Sequence, residues 1–320
     1  MSKWKQKLKI VFTVDLIAVG AMHVLNQMIS SSAVLKNILK PGSGKRYAWK
    51  YGDIFYRKVG EGKPLLLIHD LNPISSGYEW SQVEDKLKEN HTVYIIDLLG
   101  CGRSEKPGLT YTNYLYVQMI SDFIKDVIGE KTDVAATGLS SSFVVMAAYQ
   151  DPSLIGKILM INPEGLGKLE QIPDQKSKIM QTIMAIPVIG TTIYHIAYCR
   201  QNVEYLLTEK YLYNPFRVPQ RYIDAYYESA HYGQGNGKYL LSCLDGFYLN
   251  ANIRTVLGKL DQKMEILYGE KQENGKEIAE SYRKENSSIL LVPIYGTKLL
   301  PQLETPEETL TQIEKFIDAD

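Results

Sequence analysis

The chain has 320 residues, enough for one large α/β domain with an insertion or for two ordinary domains. Its 36 Lys and Arg residues balance its 36 Asp and Glu residues, so no long-range field favours nucleic acid, and we exclude that class of partner. The three cysteines, Cys101, Cys199 and Cys243, lie far apart and match no zinc spacing. We expect neither a metal nor a cofactor.

The N-terminus has the features of a membrane anchor. It begins with four alternating lysines, Lys3, Lys5, Lys7 and Lys9. An apolar run follows at residues 10–29, in which Asp15 is the one residue with a full charge, and its length suits a bilayer-spanning helix. We therefore predict membrane attachment through a single anchor, with residues 1–40 as anchor and linker and the lysines on the cytoplasmic side.

Polar residues within this run leave other interpretations open. Asp15 and Asn26 fall on nearly the same helix face, so the helix could instead lie along a membrane surface or along the protein itself. A cleaved signal peptide is a further alternative, although no convincing small-x-small site follows the run. Without an anchor, we expect a cytoplasmic protein.

Strand and helix patterns alternate after a Pro/Gly/Ser linker at residues 41–45. Runs at 47–51 and 53–59 predict an antiparallel hairpin. Apolar runs typical of parallel strands buried on both faces follow at 64–69, 92–97, 133–137 and 157–162. Helical patterns lie between them at 79–89, 111–128 and 141–150. We predict an α/β fold: a doubly wound, mostly parallel sheet of the eight-stranded type with helices on both faces.

A helical insertion interrupts this alternation. Residues 164–249 are Tyr-rich, helical in pattern and broken by Pro and Gly. Strand patterns resume at 263–268 and 288–294, and a helix follows at 306–317. We therefore predict a core made of residues 41–163 and 250–320, with residues 164–249 inserted as a helical lid.

One stretch of the lid, residues 179–199, has no fully charged residue. Pro187 and Gly190 interrupt it, so we predict two short apolar lid helices rather than a second membrane span. Such helices either line an apolar pocket or simply pack against the sheet.

A candidate nucleophile follows the predicted strand 133–137. The chain continues as Gly138-Leu139-Ser140-Ser141-Ser142 and then enters a helical pattern. A serine on a sharp strand-to-helix turn holds its hydroxyl in the open, provided that the residues two before and two after it are small. Gly138 and Ser142 meet that need, so Ser140 is the candidate. The alternative is that the three serines only cap the helix.

Two further segments resemble the α/β-hydrolase superfamily. Residues 65–71, Leu-Leu-Leu-Ile-His-Asp-Leu, resemble its strand and His-Gly segment, and residues 97–107, Asp-Leu-Leu-Gly-Cys-Gly-Arg-Ser-Glu-Lys-Pro, resemble the turn after the next strand. The resemblance implies an oxyanion hole formed by the backbone N–H groups of Leu71 and Ser141. Asp70 stands where the family has glycine, an exchange that would narrow the hole or place a negative charge beside it.

The resemblance also implies an acid and a histidine after the lid. The family's Asp falls on Gln272, with Glu273 next to it, and Glu164 is another conceivable acid. The histidine position falls on Leu299, and the sequence has no histidine after His231. A serine hydroxyl without a general base is a poor nucleophile.

Three hypotheses follow. The first is a relative of serine ester or acyl hydrolases that lacks the expected catalytic His and Asp, is weakly active or non-catalytic, and binds a partner or a small apolar or ester-like molecule. The second is an active serine hydrolase on an apolar ester-type substrate, in which Ser140 works with His231 and with Glu273 or Glu164. The third is an interaction protein whose pocket is closed by lid side chains.

Overall fold

The computed structural model describes the backbone of residues 3–319 and the side chains of Trp4, residues 18–40 and residues 42–319. The strands are β1 (Lys45–Trp49), β2 (Gly52–Val59), β3 (Lys63–Ile68), β4 (His91–Ile96), β5 (Thr132–Thr137), β6 (Ile155–Ile161), β7 (Met264–Gly269) and β8 (Leu290–Ile294). The helices are α1 (Lys3–Ala33), α2 (Glu84–Leu87), α3 (Asn113–Phe123), α4 (Ser140–Gln150), α5 (Leu166–Leu169), α6 (Gln175–Ala185), α7 (Ile189–Ala197), α8 (Arg200–Tyr205), α9 (Gln220–His231), α10 (Gly237–Asp245), α11 (Arg254–Leu257), α12 (Gly275–Glu285), α13 (Pro301–Glu304) and α14 (Pro306–Ile317).

The eight strands form one sheet in the order β1-β2-β4-β3-β5-β6-β7-β8. The β1–β2 and β2–β4 pairs are antiparallel and the other pairs are parallel. This confirms the predicted α/β fold with a mostly parallel, eight-stranded sheet. The strand order reverses beside β3, which places β4 on one side and β5 on the other, and ligands of such sheets bind at the carboxyl ends of strands at this kind of reversal.

Strand β3 explains why the central strands are apolar along their whole length. Successive side chains of a strand point to opposite faces of the sheet. Leu66 and Ile68 belong to the hydrophobic cluster on one face, and Leu65 and Leu67 belong to the cluster on the other face. Because helices cover both faces, every position of the strand has to be apolar.

The predicted helix at residues 79–89 is broken into two short pieces, a 3-10 turn at Gly77–Trp80 and the helix α2. All four residues of the 3-10 turn are buried, which a surface helix with one apolar stripe does not allow. The backbone N–H of Gly77 donates to the Asp97 carboxylate at 2.7 Å. Asp97 also accepts from the Arg103 side chain at 2.7 Å, so this buried ion pair fixes the turn.

The chain between β6 and β7 carries the helices α5 to α11. Helix α6 ends at Ala185 and α7 begins at Ile189, so the two are separated at Pro187 and meet at an angle of 105°. A third hydrophobic cluster joins the lid to the core and includes Tyr194, Tyr226 and Leu300. The lid tyrosines Tyr222 and Tyr226 belong to this cluster, and Tyr211 and Tyr227 pack against it.

The apolar run predicted as an anchor lies within α1, and its residues 10–17 fall outside the described side chains. The described end of α1 lies along the lid. Asn26 Nδ2 donates to Thr192 Oγ1 at 3.0 Å, and Ser30 Oγ lies 3.2 Å from His195 Nε2. Over the described side chains, no single helix is both long and apolar enough to cross a bilayer, whereas the bent pair α6 and α7 reaches that length and composition jointly.

Candidate functional site

A cavity of about 710 Å³ lies at the carboxyl ends of β3, β5, β6 and β7. Its wall includes residues from the core loops and from the lid, namely Asp70, Leu71, Asn72, Gly138, Leu139, Asn162, Pro163, Glu164, Lys168, Tyr211, Leu244, Asp245, Phe247, Asn250, Gln272, Gly275, Ile278 and Leu299. Its volume is within the range of small-molecule sites. The third hypothesis expects lid side chains to fill the pocket, and the open cavity of about 710 Å³ counts against it.

The sharp turn between β5 and α4 is at Gly138. Strand β5 ends at Thr137, Gly138 has a φ of +57°, and α4 begins at Ser140. The residue on such a turn is the one that presents its side chain at the end of the sheet. The sharp turn is therefore at Gly138, two residues before Ser140, the position that the sequence pattern predicts.

Ser140 is in the first turn of α4 and is fully buried. Its hydroxyl donates to the His69 carbonyl at 2.7 Å, which ties α4 to the loop after β3. The hydroxyls of Ser141 and Ser142 likewise donate to backbone carbonyls, at 3.1 and 2.8 Å. Ser140 is not part of the cavity wall, so its role as the nucleophile stays a prediction.

The side chain that reaches the elbow is Asp70. Its Oδ1 accepts a hydrogen bond from the backbone N–H of Leu139 at 2.9 Å, and the backbone N–H of Leu71 also bonds to this carboxylate. A Cβ atom at position 138 would clash with the same Oδ1. Asp70 therefore fills the space that a nucleophile side chain would occupy.

The two backbone N–H groups that contact the Asp70 carboxylate, those of Leu139 and Leu71, correspond to the donors of an oxyanion hole. Leu71 is one of the two predicted donors, and Leu139 directly follows the residue at the elbow. The other predicted donor, Ser141, has its N–H directed at the Gly138 carbonyl at 3.2 Å. The sequence signal for the shifted elbow is Ala136-Thr137-Gly138-Leu139-Ser140, which has small residues two before and two after Gly138.

Two carboxyl groups lie at this point, of which Glu79 is buried and Asp70 is partly buried in the cavity wall. Glu79 Oε2 accepts the backbone N–H of Asp70 at 3.0 Å. Burial raises the pKa of Asp70 to about 6, and the N–H donor at Leu139 acts against that shift. Burial, with the Asp70 charge in addition, raises the pKa of Glu79 to about 8.

His69 is next to these groups but has both ring nitrogens engaged. Its Nδ1 lies 2.6 Å from the Asp70 carbonyl oxygen, and its Nε2 accepts the Leu98 N–H at 2.9 Å. Burial lowers the pKa of His69 to about 4, so the ring is neutral at pH 7. Its contacts make it a structural part of the turn.

The two triad positions expected after the lid reach the same cavity. Gln272 and Leu299 both line its wall. Asn162 Nδ2 donates to the Leu299 carbonyl at 2.9 Å, which holds the loop after β8 against the end of β6. Glu273, the neighbouring carboxylate, is exposed and is not among the lining residues. The structure thus brings positions 138, 272 and 299 to one cavity. These positions hold Gly, Gln and Leu, so none of them carries a hydroxyl, a carboxylate or an imidazole.

The other candidate acid and base have different partners. Glu164 lines the cavity, where Lys168 Nζ lies 2.6 Å from its Oε2. His231 is buried in the lid and stacks on His195 with a ring-centroid separation of 5.0 Å. Its Nδ1 lies 2.8 Å from the Tyr227 carbonyl oxygen, and burial lowers its pKa. No described group of three His, Cys, Asp or Glu side chains is placed to hold a metal ion.

The sequence model of the alpha/beta hydrolase family matches residues 65–310, and the chain belongs to this family. An uncharacterized protein of Mycobacterium tuberculosis is 30% identical over 113 residues, which are 35% of this chain and 33% of that protein. The chain therefore matches about a third of the length of its curated relatives.

Solved structures share the fold at low identity. A serine hydrolase involved in carbazole degradation superposes with a TM-score of 0.71 at 16% identity, over 86% of this chain and 98% of that one. A membrane phospholipase A described as a bacterial virulence factor superposes with a TM-score of 0.67 at 17% identity, over 98% of both chains.

We predict that Gly138→Ala destabilises the fold by about 2–3 kcal/mol, because it adds a clash with Asp70 to the cost of a positive φ. Gly129 is the matched control, since its φ is +79° and a Cβ there would meet no atom within 4 Å. Gly129→Ala should cost about 1 kcal/mol. Urea unfolding measures both free energies.

The double variant isolates the contact. In an Asp70→Gly background, the cost of Gly138→Ala should fall to about 1 kcal/mol, the cost of φ alone. An unchanged cost in that background would show that Asp70 does not occupy the space beside Gly138.

We also predict a pH dependence from Glu79. Its pKa is higher in the folded protein than its ordinary value of 4.5, so the protonated group favours folding and that stability is lost as the pH rises from about 4.5 to 8. Glu79→Gln removes the charge, so the variant should gain stability over the natural protein progressively across this window, by a few kcal/mol. Unfolding free energies at pH 5 and pH 8 measure this gain, and the exposed Glu273→Gln should show none. A gain that shrinks with rising pH would contradict the buried charge.

Proposed function

We propose that this α/β hydrolase-fold protein does not hydrolyse esters and instead binds a small molecule in the cavity at the strand ends. The observation that carries the proposal is the contact of the Asp70 carboxylate with the N–H groups of Leu139 and Leu71. Those donors would have to polarise an acyl carbonyl in a serine hydrolase. A bound carboxylate already uses them and would repel a developing oxyanion.

The residues at the triad positions support the same proposal. Gly138, Gln272 and Leu299 supply no nucleophile, no acid and no general base. A hydrolase that loses its triad keeps at most about 10³–10⁴-fold acceleration, which comes from its oxyanion hole and substrate binding. With Asp70 in that hole, the first of these two contributions is also lost.

The cavity wall favours a neutral or cationic ligand with an apolar body. It carries three carboxylates, on Asp70, Glu164 and Asp245, and one ammonium, on Lys168, which is paired with Glu164. The apolar part of the wall includes Leu139, Leu244, Phe247, Ile278 and Leu299. An anionic ligand would meet this surplus of negative charge at close range.

We also propose that the N-terminal segment attaches the protein to a membrane. Support comes from the lysines at 3, 5, 7 and 9 beside the apolar run at residues 10–29. The similarity to the membrane phospholipase A extends over 98% of the chain, a length that includes α1, whereas the similarity to the carbazole-pathway hydrolase extends over 86%.

A fluorophosphonate probe tests the absence of a reactive serine. The natural protein should stay unmodified in intact-mass spectra. A variant that combines Gly138→Ser, Asp70→Gly, Gln272→Asp and Leu299→His restores the missing groups and the free donors, so it should become labelled at position 138. Circular dichroism and thermal melting confirm that the variant folds.

The contrary outcome is equally specific. Stoichiometric labelling of the natural protein, lost in Ser140→Ala, would establish Ser140 as an active nucleophile and overturn the proposal. It would favour the alternative in which a serine hydrolase has rebuilt its triad.

The ligand class is tested with two molecules of equal chain length, hexylamine and hexanoate. Hexylamine should raise the melting temperature and hexanoate should not, because the wall is net negative. Ile278→Trp fills the cavity and should abolish the stabilisation by hexylamine, whereas the control Tyr114→Trp, at an exposed position outside the wall, should leave it unchanged. Equal effects of the two molecules, or an effect that survives Ile278→Trp, would contradict the assignment.

A further inference from the structure

Eleven large apolar side chains are exposed on neighbouring helices of the lid and N-terminus. They are Val19, Val24, Leu25 and Met28 on α1, and Ile179, Met180, Ile183, Ile186, Ile189, Ile193 and Ile196 on α6, α7 and the turn between them, and their exposed fractions run from 36% to 65%. We call them the lid–α1 face. A groove of about 360 Å³ between α1 and α7 joins its two parts. Exposed apolar surface of this extent marks an interaction site.

The helices that carry this face are fixed to the protein by their opposite side. Tyr194 Oη donates to the Ala230 carbonyl at 2.6 Å, and Asn26 Nδ2 donates to the Val188 carbonyl at 3.2 Å. Lys238 Nζ donates to Thr191 Oγ1 at 3.2 Å. Polar groups of α7 and of the turn before it are thus bonded inward, which fixes α7 with its apolar side facing outward.

The dimensions of the hairpin exclude a membrane span. Helix α6 has 11 residues and α7 has 9, so they are about 16 Å and about 14 Å long at 1.5 Å per residue. The hydrocarbon core of a bilayer is about 30 Å thick. Two short helices bent by 105° and bonded to the core on one side suit the interfacial layer instead, where amphipathic helices insert by about 5–10 Å.

The charges beside the face identify its partner. Within residues 175–199 the fully charged side chains are Lys176 and Lys178, and residues 16–35 have none. Both segments therefore lack a carboxylate. Anionic headgroups would neutralise these lysines. A second copy of the same face would instead leave them opposite one another without an acid.

We propose that the lid–α1 face docks on the surface of a bilayer that contains anionic lipids, with the α6–α7 turn inserted among the headgroups. This contact shares residues 19–28 of α1 with the apolar run of the proposed N-terminal attachment and adds the α6–α7 hairpin to it, and it does not depend on the cavity being non-catalytic. It converts a single point of attachment into a defined orientation of the protein on the membrane.

A fluorescent label at the turn tests the insertion directly. The full chain carries Cys199→Ser and Ile186→Cys, is labelled with an environment-sensitive NBD dye, and is mixed with vesicles of phosphatidylcholine alone or with phosphatidylglycerol. The dye at position 186 should shift to the blue with the anionic vesicles. The control, Leu290→Cys, is 57% exposed at the start of β8, at the opposite end of the sheet from the lid, and should not shift. A dye at position 186 that stays water-exposed on vesicle-bound protein would overturn the proposal.

Vesicle sedimentation separates the two attachments. Ile186→Glu with Ile189→Glu should lower the partition onto anionic vesicles roughly tenfold or more, because two apolar contacts are exchanged for charges. The exposed-residue control Leu290→Glu should change nothing. The proposal is contradicted if the double variant partitions as the natural protein does, while a variant with Lys3, Lys5, Lys7 and Lys9 changed to Gln no longer binds. The N-terminal segment would then be the only attachment to the membrane. A dimer that is lost in the double variant, without vesicle binding, would assign the face to a second copy instead.

Discussion

The contact between the Asp70 carboxylate and the turn at Gly138 constrains the whole site. Three segments meet there: the loop after β3, the β5–α4 turn and the 3-10 turn that carries Glu79. The partly buried carboxylate needs N–H donors to stay ionised, and the backbone of Leu139 and Leu71 supplies them. The space it needs exists because position 138 has no side chain. The glycine at position 138 and the aspartate at position 70 therefore depend on each other, because the carboxylate fits only where position 138 has no side chain.

This pair of residues alters what the turn between β5 and α4 can do. A strand-to-helix turn with two free N–H groups can stabilise an anion that forms during a reaction. Here the Asp70 carboxyl group, whose pKa is raised to about 6, takes that place as an anion above that pH, and the positions expected to activate a nucleophile hold Gln272 and Leu299. The cavity of about 710 Å³, with a partly apolar wall and a surplus of carboxylates, supports the proposal that the site binds a small molecule.

The sequence predicts the fold well because burial on both faces of the sheet demands long apolar runs, such as 64–69 and 133–137. It also places Gln272 and Leu299 at the site, because the loops after β7 and β8 are easily located from those strands. The sequence pattern favours Ser140 because a serine is chemically more conspicuous than a glycine, whereas a backbone φ of +57° puts the sharp turn at Gly138. The contact of Asp70 with Leu139 joins segments that are 69 residues apart in the chain. From the sequence one sees that Asp70 stands where the family has glycine and adds a charge, but not which groups that charge contacts.

NMR titration of the Leu139 amide tests the central claim most directly, because its N–H reports the charge on the group that it contacts. We expect the Leu139 and Leu71 amide resonances to shift together with an apparent pKa of about 6, and we expect the shift to disappear in Asp70→Asn. Amides that do not respond between pH 4 and 8, or that respond identically in Asp70→Asn, would show that the donors are not held by Asp70. The oxyanion hole would then be free, and the case for a non-catalytic site would fall.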